Sequence, residues 1–193
     1  MEIQRSSVLP EIMLLKPDVF PDARGYFYEG YRMERYRSLG IDRIFVQDNF
    51  SYSVRNVIRG LHYQAGRPQG KLVWVLEGEV FDVAVDIRRG SPSFGKWAGH
   101  LLSSENHFQL YIPEGFAHGF AVRSEHALVA YKCTASYDGT LERGIRWDDS
   151  ALNINWEIAR PVLSDKDLHF PNLADILVDD LPRFDQKGNT SGS

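Results

Sequence analysis

Residues 57–76 place Arg59, His62, Gln64 and Lys71 close together in a β-like, otherwise apolar run. Histidine is the side chain whose unperturbed pKa lies nearest neutrality, so it can take or give a proton at cellular pH. A lysine ammonium beside it can hold an oxyanion as it develops. The stretch therefore has the ingredients of a proton-transfer site. On these residues alone, a partly exposed loop histidine next to a solvated lysine accounts for it equally well. The elements that would position these side chains decide between the two.

Those elements read mostly as strands. Residues 12–15 form a short apolar run stopped by Lys16-Pro17, which suits a strand. Residues 21–25 make a turn by composition, and the aromatic run 26–31 predicts another strand. Residues 33–39, stopped by Gly40, are the best short helix. Further strands are expected at 45–51, 72–76, 97–102, 109–112, 116–122 and 127–134, with turns at Glu77-Gly78, 89–92 and 113–115. Residues 80–87 alternate cleanly. Phe81, Val83, Val85 and Ile87 share one face, and Val80, Asp82, Ala84 and Asp86 share the other. Val129, Tyr131 and Cys133 likewise share a face. Short strands separated by turns indicate an all-β sandwich or barrel with short peripheral helices. After Trp156 the pattern becomes irregular, with one helical turn expected at 173–177. Residues 185–193 read as a flexible polar tail, leaving 1–184 as a single domain.

At 193 residues, 43% hydrophobic and 12% aromatic, the chain has the composition of a folded domain with a substantial core. A net charge of −4 argues against a general nucleic-acid binder. The single cysteine, Cys133, excludes an internal disulfide framework and fits a reducing compartment. It reads as a small core residue rather than a nucleophile. No apolar run approaches the roughly 20 residues needed to span a bilayer, and the start, Met-Glu-Ile-Gln-Arg, has no signal-peptide pattern. A cytoplasmic protein is expected, with no membrane partner. There is no Gly-x-Gly-x-x-Gly after a strand and no phosphate-loop lysine, which removes a bound nicotinamide from the obvious mechanisms.

Seven motifs occur in order: Arg59-Gly60-Leu61-His62-Tyr63-Gln64, Gly70-Lys71-Leu72-Val73, residues 78–86, Pro113-x-Gly115-Phe116-Ala117-His118-Gly119-Phe120, Tyr131-Lys132-Cys133-Thr134, residues 142–147 and Leu163-Ser164-Asp165-Lys166-Asp167. Together they closely resemble the dTDP-4-dehydrorhamnose 3,5-epimerase family over nearly the whole chain. The resemblance implies a cupin jelly roll (a double-stranded β-helix barrel), usually a homodimer, with no cofactor and no metal. The sequence speaks to the metal as well. Where a metal cupin usually offers His-x-His and a following glutamate, this chain has His62-Tyr63-Gln64. With only His118 to add, the donor set is a poor match for a catalytic transition metal.

The family substrate is a 4-keto-6-deoxy sugar on thymidine diphosphate, whose hydrogens beside the ketone are acidic. By resemblance, His62 is the general base, Asp167 orients and charges it, Lys71 stabilises the enolate oxygen, and Tyr131 is the acid on the other sugar face. Arg24 and Arg59 resemble the diphosphate contacts, through forked donors. Phe27, Glu29, Gln47, Asn49 and Tyr137 match pocket-lining positions, with Glu142 and Arg143 in a matching segment. The segment from Arg24 to Glu29 is expected to complete the neighbouring subunit's site. His118 and Asp82 form a second, accessory pair. His100, His107, His126 and His169 carry no matching motif and are expected at the surface. Three rival readings stand beside the double epimerase: a one-carbon epimerase or ketoisomerase, a non-catalytic sugar-nucleotide-binding cupin, and a metal cupin.

Overall fold

The computed structural model describes residues 1–185; residues 186–193, almost all of the expected polar tail, lie outside the described residues. In chain order the elements are β1 (Glu2–Arg5), β2 (Met13–Lys16), β3 (Phe20–Asp22), β4 (Gly25–Phe27), α1 (Met33–Ser38), β5 (Gln47–Val54), β6 (Ile58–Gln64), β7 (Lys71–Glu77), β8 (Glu79–Asp86), β9 (Trp97–Ser103), β10 (Gln109–Ile112), β11 (Phe116–Val122), β12 (His126–Cys133), β13 (Glu142–Gly144) and α2 (Asp165–Leu168). A six-stranded sheet runs β1-β2-β10-β7-β12-β5, and a five-stranded sheet runs β13-β6-β11-β8-β9. β3 and β4 form a separate hairpin. The strands pair antiparallel, and from β5 to β8 and again from β9 to β13 successive strands alternate between the two sheets, as in a cupin jelly roll.

Alternation along β8 shows how the sequence builds this. Val80 and Ala84 enter the core between the sheets, with Leu14, Val73, Leu110 and Val129 from the opposite sheet. Val83 and Val85 face the other way, into a second core roofed by Ile145, Leu152, Trp156, Leu173 and Leu181 from the C-terminal segment. The five-stranded sheet is thus buried on both faces, which is why β8 carries so many apolar residues. A third, smaller core packs Tyr36 of α1 and nearby Ile41 on Met13, Leu15 and Leu72, on the outer face of the six-stranded sheet.

The structure differs from the sequence reading in several places. The strand expected over residues 26–31 ends at Phe27. The mainly polar strands β1 and β13 leave no hydrophobic signal and were missed. The C-terminal segment is largely irregular, as expected, but contains α2, where Ser164 accepts a hydrogen bond from the Asp167 backbone N–H at 3.2 Å. This is the N-cap arrangement. The turn expected at 173–177 is a 3₁₀ turn over Leu173–Asp175.

Candidate active site

β6 carries the Arg59–His62 stretch as a strand, not a loop. Side chains three apart on a regular strand point to opposite faces, yet Arg59 and His62 both line the same cleft. Pairing with β11 shows how: His118 lies opposite His62, but Phe120 lies opposite Arg59, so three steps on β6 match two on β11. The extra residue is a β-bulge, which re-aims side chains by resetting the pleat. Gly60 sits there with φ of 123°. A Cβ on it would lie 2.5 Å from Gly119 Cα, so glycine is required on both strands where the backbones close in.

The cleft is about 480 Å³, within the range of small-molecule sites, and is open between the two sheets. Its six-stranded wall comes from register. Cys133 pairs with Gln47 of β5 and Lys71 of β7, and Tyr131 pairs with Asn49 of β5. Directly paired residues share a face, so these side chains face the cleft together. The five-stranded wall supplies Arg59, His62, Gln64, His118 and Phe120. His62 and Tyr131 therefore approach from opposite walls.

The histidine is held from behind. His62 Nε2 lies 2.6 Å from Asp167 Oδ1, and the ring of Phe170 meets the imidazole edge-on at 5.6 Å between centroids. Burial pushes the Asp167 carboxyl up, but the hydrogen bond and charge of His62 and the Ser164 contact outweigh it and hold it below its ordinary value. An ionised Asp167 accepts the Nε2 proton, and Nδ1 is left as the basic atom. On the inner side of the same wall, His118 Nε2 lies 2.9 Å from both oxygens of the fully buried Asp82. Burial lowers the His118 pKa and Asp82 opposes it.

Lys71 is buried, and desolvation lowers its pKa against the opposing charges of Cys133, Asp82 and Glu142. Among the described residues its ammonium forms no ion pair, so its charge is directed at whatever enters the cleft. Burial raises the Tyr131 pKa, which keeps the phenol protonated. Loop residue Tyr137 is tied in at its backbone N–H by Gln47 Oε1 at 2.7 Å, and its hydroxyl donates to Glu142 at 2.7 Å.

Of the residues expected at the site, His62, Lys71, Tyr131, Gln47, Asn49, Arg59, His118, Tyr137 and Glu142 line this cleft, and Asp167 reaches it through His62. Arg143 does not: it alternates outward on β13 and pairs with Asp180. Arg24, Phe27 and Glu29 are also away from the cleft of their own chain. Arg24 pairs with Asp22 and its side chain is 90% exposed, Phe27 is 71% exposed, and Glu29 pairs with Arg32 and Arg35. Sequence reading missed Phe50, Ser51, Tyr52, Tyr63, Gln69 and Phe120 as lining residues. Ser51 follows Gln47 and Asn49 at period two, so alternation alone marks it. Cys133 is buried as expected but also lines the cleft, its sulfur 3.6 Å from Asn49 Nδ2. His100 is not a surface residue: its Nε2 is buried and without a hydrogen-bond partner. Among the described residues, no group of three or more His, Cys, Asp or Glu is arranged to hold a metal ion.

The family profile of dTDP-4-dehydrorhamnose 3,5-epimerase matches residues 6–175. The chain belongs to that epimerase family. The dTDP-4-dehydrorhamnose 3,5-epimerase of Neisseria gonorrhoeae is 54% identical over 163 residues, covering 84% of this chain and 50% of the relative. The chain therefore spans about half the length of that relative. It spans 99% of the Salmonella typhimurium epimerase, which is 49% identical and covers 92% of this chain. The crystal structure of a Legionella pneumophila dTDP-6-deoxy-D-glucose-3,5-epimerase, in complex with dTDP-4-keto-L-rhamnose, superimposes with a TM-score of 0.93 at 49% identity. That match covers 95% of this chain and 98% of the other.

Proposed function

We propose that this protein epimerises dTDP-4-keto-6-deoxy-D-glucose at carbons 3 and 5 to dTDP-4-keto-L-rhamnose, the epimerase step of dTDP-L-rhamnose synthesis, without a cofactor. One observation carries the reading: a carboxylate-held histidine and a protonated tyrosine face each other from opposite sheets, with a buried lysine beside them that has no ion-pair partner among the described residues. Inversion beside a ketone needs that arrangement. His62 Nδ1 removes the proton from the carbon next to the ketone, and Asp167 stabilises the imidazolium. The electron pair moves onto the ketone oxygen, where the Lys71 ammonium meets the new charge. Tyr131 then delivers a proton to the same carbon from the other face as the enolate's electron pair returns there and the ketone reforms; solvent replaces the Tyr131 proton and takes the proton held by His62. Positioned proton transfer of this kind contributes about 10²–10⁴-fold.

Arg59 is assigned to the diphosphate, with Gln47, Asn49, His118, Tyr137 and Glu142 shaping the nucleotide and sugar pocket. Residues 1–184 form the single catalytic domain, working in the cytoplasm. A second copy of the chain supplies Arg24, Phe27 and Glu29 to complete the pocket. Edge strand β5 supports pairing of two copies, since Phe50, Tyr52 and Val54 are all more than half exposed on it, the first two also bordering the cleft, an apolar stripe of the kind that marks interfaces.

The test is deuterium exchange on the keto sugar in heavy water, read by NMR. Deuterium entering at both carbons supports the double epimerase. Entry at one carbon shifts the reading to a mono-epimerase, and no entry with dTDP still bound removes catalysis from the assignment.

A further inference from the structure

α2 carries the carboxylate that holds His62, yet it is only four residues long. A helix that short does not hold its own position, so the placing of Asp167 depends on what α2 is tied to. Besides the His62 contact itself, two ties lead to β13. The Phe170 ring lies over Gly144, where any side chain would collide with it. The Lys166 ammonium donates to Glu142 Oε1 at 2.8 Å. Both anchor points are on β13, the strand paired with β6, where Glu142 lies opposite Gln64 and Gly144 opposite His62. The helix is therefore fastened to the strand that runs beside the base. Glu142 is engaged at both oxygens, since Oε2 accepts from the Tyr137 hydroxyl at 2.7 Å. Burial pushes its carboxyl up, but the Lys166 and Tyr137 hydrogen bonds hold it below the ordinary range. Lys166 is not a cleft-lining residue, and its side chain is half exposed.

We propose that Lys166 is a positioning residue. Through Glu142 it fastens α2 so that Asp167 stays in contact with His62, and through Tyr137 the same chain of contacts reports occupancy of the nucleotide side of the cleft. The inference rests on the roles assigned above to His62, Asp167 and Tyr137. A nucleoside diphosphate that packs on Tyr137 orders its hydroxyl, hence Glu142, hence the helix bearing the carboxylate.

The experiment compares the wild type with Lys166→Met, Lys166→Arg and Glu142→Gln. It reads kcat and KM for the keto sugar, and the low-field proton NMR signal of the His62 Nε2–H, identified by its loss in His62→Gln. Lys166→Met is expected to lower kcat on the order of threefold to tenfold, as fits one partly exposed ion pair acting through geometry. KM stays within about twofold, the imidazole signal shifts or broadens, and Lys166→Arg recovers both. Glu142→Gln weakens the same tie, so adding Lys166→Met to it costs less than the product of the two effects. A raised KM with unchanged kcat would make Lys166 a ligand contact and overturn the proposal. So would an unchanged imidazole signal. If the wild type itself exchanges no deuterium, the assigned reaction fails, while the NMR comparison still judges the tether.

Discussion

His62 Nε2 and Asp167 Oδ1 lie 2.6 Å apart across 105 positions of sequence, and the contact leaves Nδ1 as the atom free to take a proton. Asp167→Asn replaces an acceptor by an amide that can donate to Nε2, which favours the wrong tautomer. The expected loss in kcat is about 10²–10⁴-fold with dTDP binding nearly unchanged, measured by steady-state exchange and titration calorimetry. His62→Ala is expected to abolish turnover while leaving dTDP binding intact. Full activity in that variant would remove His62 as the base.

Lys71 makes two opposite predictions for activity and stability. Its folded pKa is lowered from 10.5 by burial, so the ammonium that stabilises the enolate is lost on the alkaline side, and kcat falls there. For stability the sign reverses. Between the folded and unfolded pKa values the unfolded chain binds more protons, so stability rises with pH through that window. Lys71→Met is expected to abolish the alkaline limb, cut kcat by about 10²–10³-fold and unfold at higher denaturant, because a buried unpaired charge is gone. A variant less stable than the wild type would mean that the nearby charges of Asp82, Cys133 and Glu142 outweigh the cost of burying the ammonium.

Tyr131→Phe separates removal of a proton from its return. The base and its carboxylate are untouched, so the variant is expected to keep exchanging deuterium at the carbon His62 reaches. Net inversion falls by about 10²-fold or more. Following exchange and product configuration in one NMR series tests this, and loss of exchange together with inversion would move Tyr131 out of the acid role.

Gly60→Ala tests the bulge. The added Cβ would meet Gly119 Cα at 2.5 Å and His118 O at 2.8 Å, both backbone atoms, at a φ that side chains rarely adopt. A loss of about 3 kcal/mol or more is expected from urea unfolding. A neutral outcome would mean that the strands can separate there without consequence.

Asp167 gives acid sensitivity. Its folded pKa lies below the ordinary 3.8, so its contribution is present above that value and lost as pH falls through the folded pKa. Acid unfolding of Asp167→Asn is expected to be shallower than that of the wild type over this range.

The barrel was readable because its strands obey period two and most are apolar. Residues 80–87 displayed both of their faces in the sequence, and the structure places Val83 and Val85 in one core and Val80 and Ala84 in the other. β1 and β13 were not readable because their residues are mainly polar and are held by pairing rather than burial. Asp167 sits in Ser-Asp-Lys-Asp, a sequence indistinguishable from a surface turn; only the family resemblance marked it. Arg143 lies outside the cleft of its own chain because membership of a matching segment says nothing about which side of a three-residue strand a side chain takes. His100 failed for want of its register, opposite Asp82 on β8.

The C-terminal segment that roofs the second core also delivers Asp167. Every strand of both main sheets precedes residue 167 in the chain, so the base belongs to the sheets while the group that charges it belongs to the segment that closes over them. The same stretch supplies Leu152, Trp156 and Leu173 to the core, so a chain cut short loses its carboxylate and part of its roof together. Turnover is thereby reserved for molecules in which this segment has docked, and activity serves as a readout of that closure.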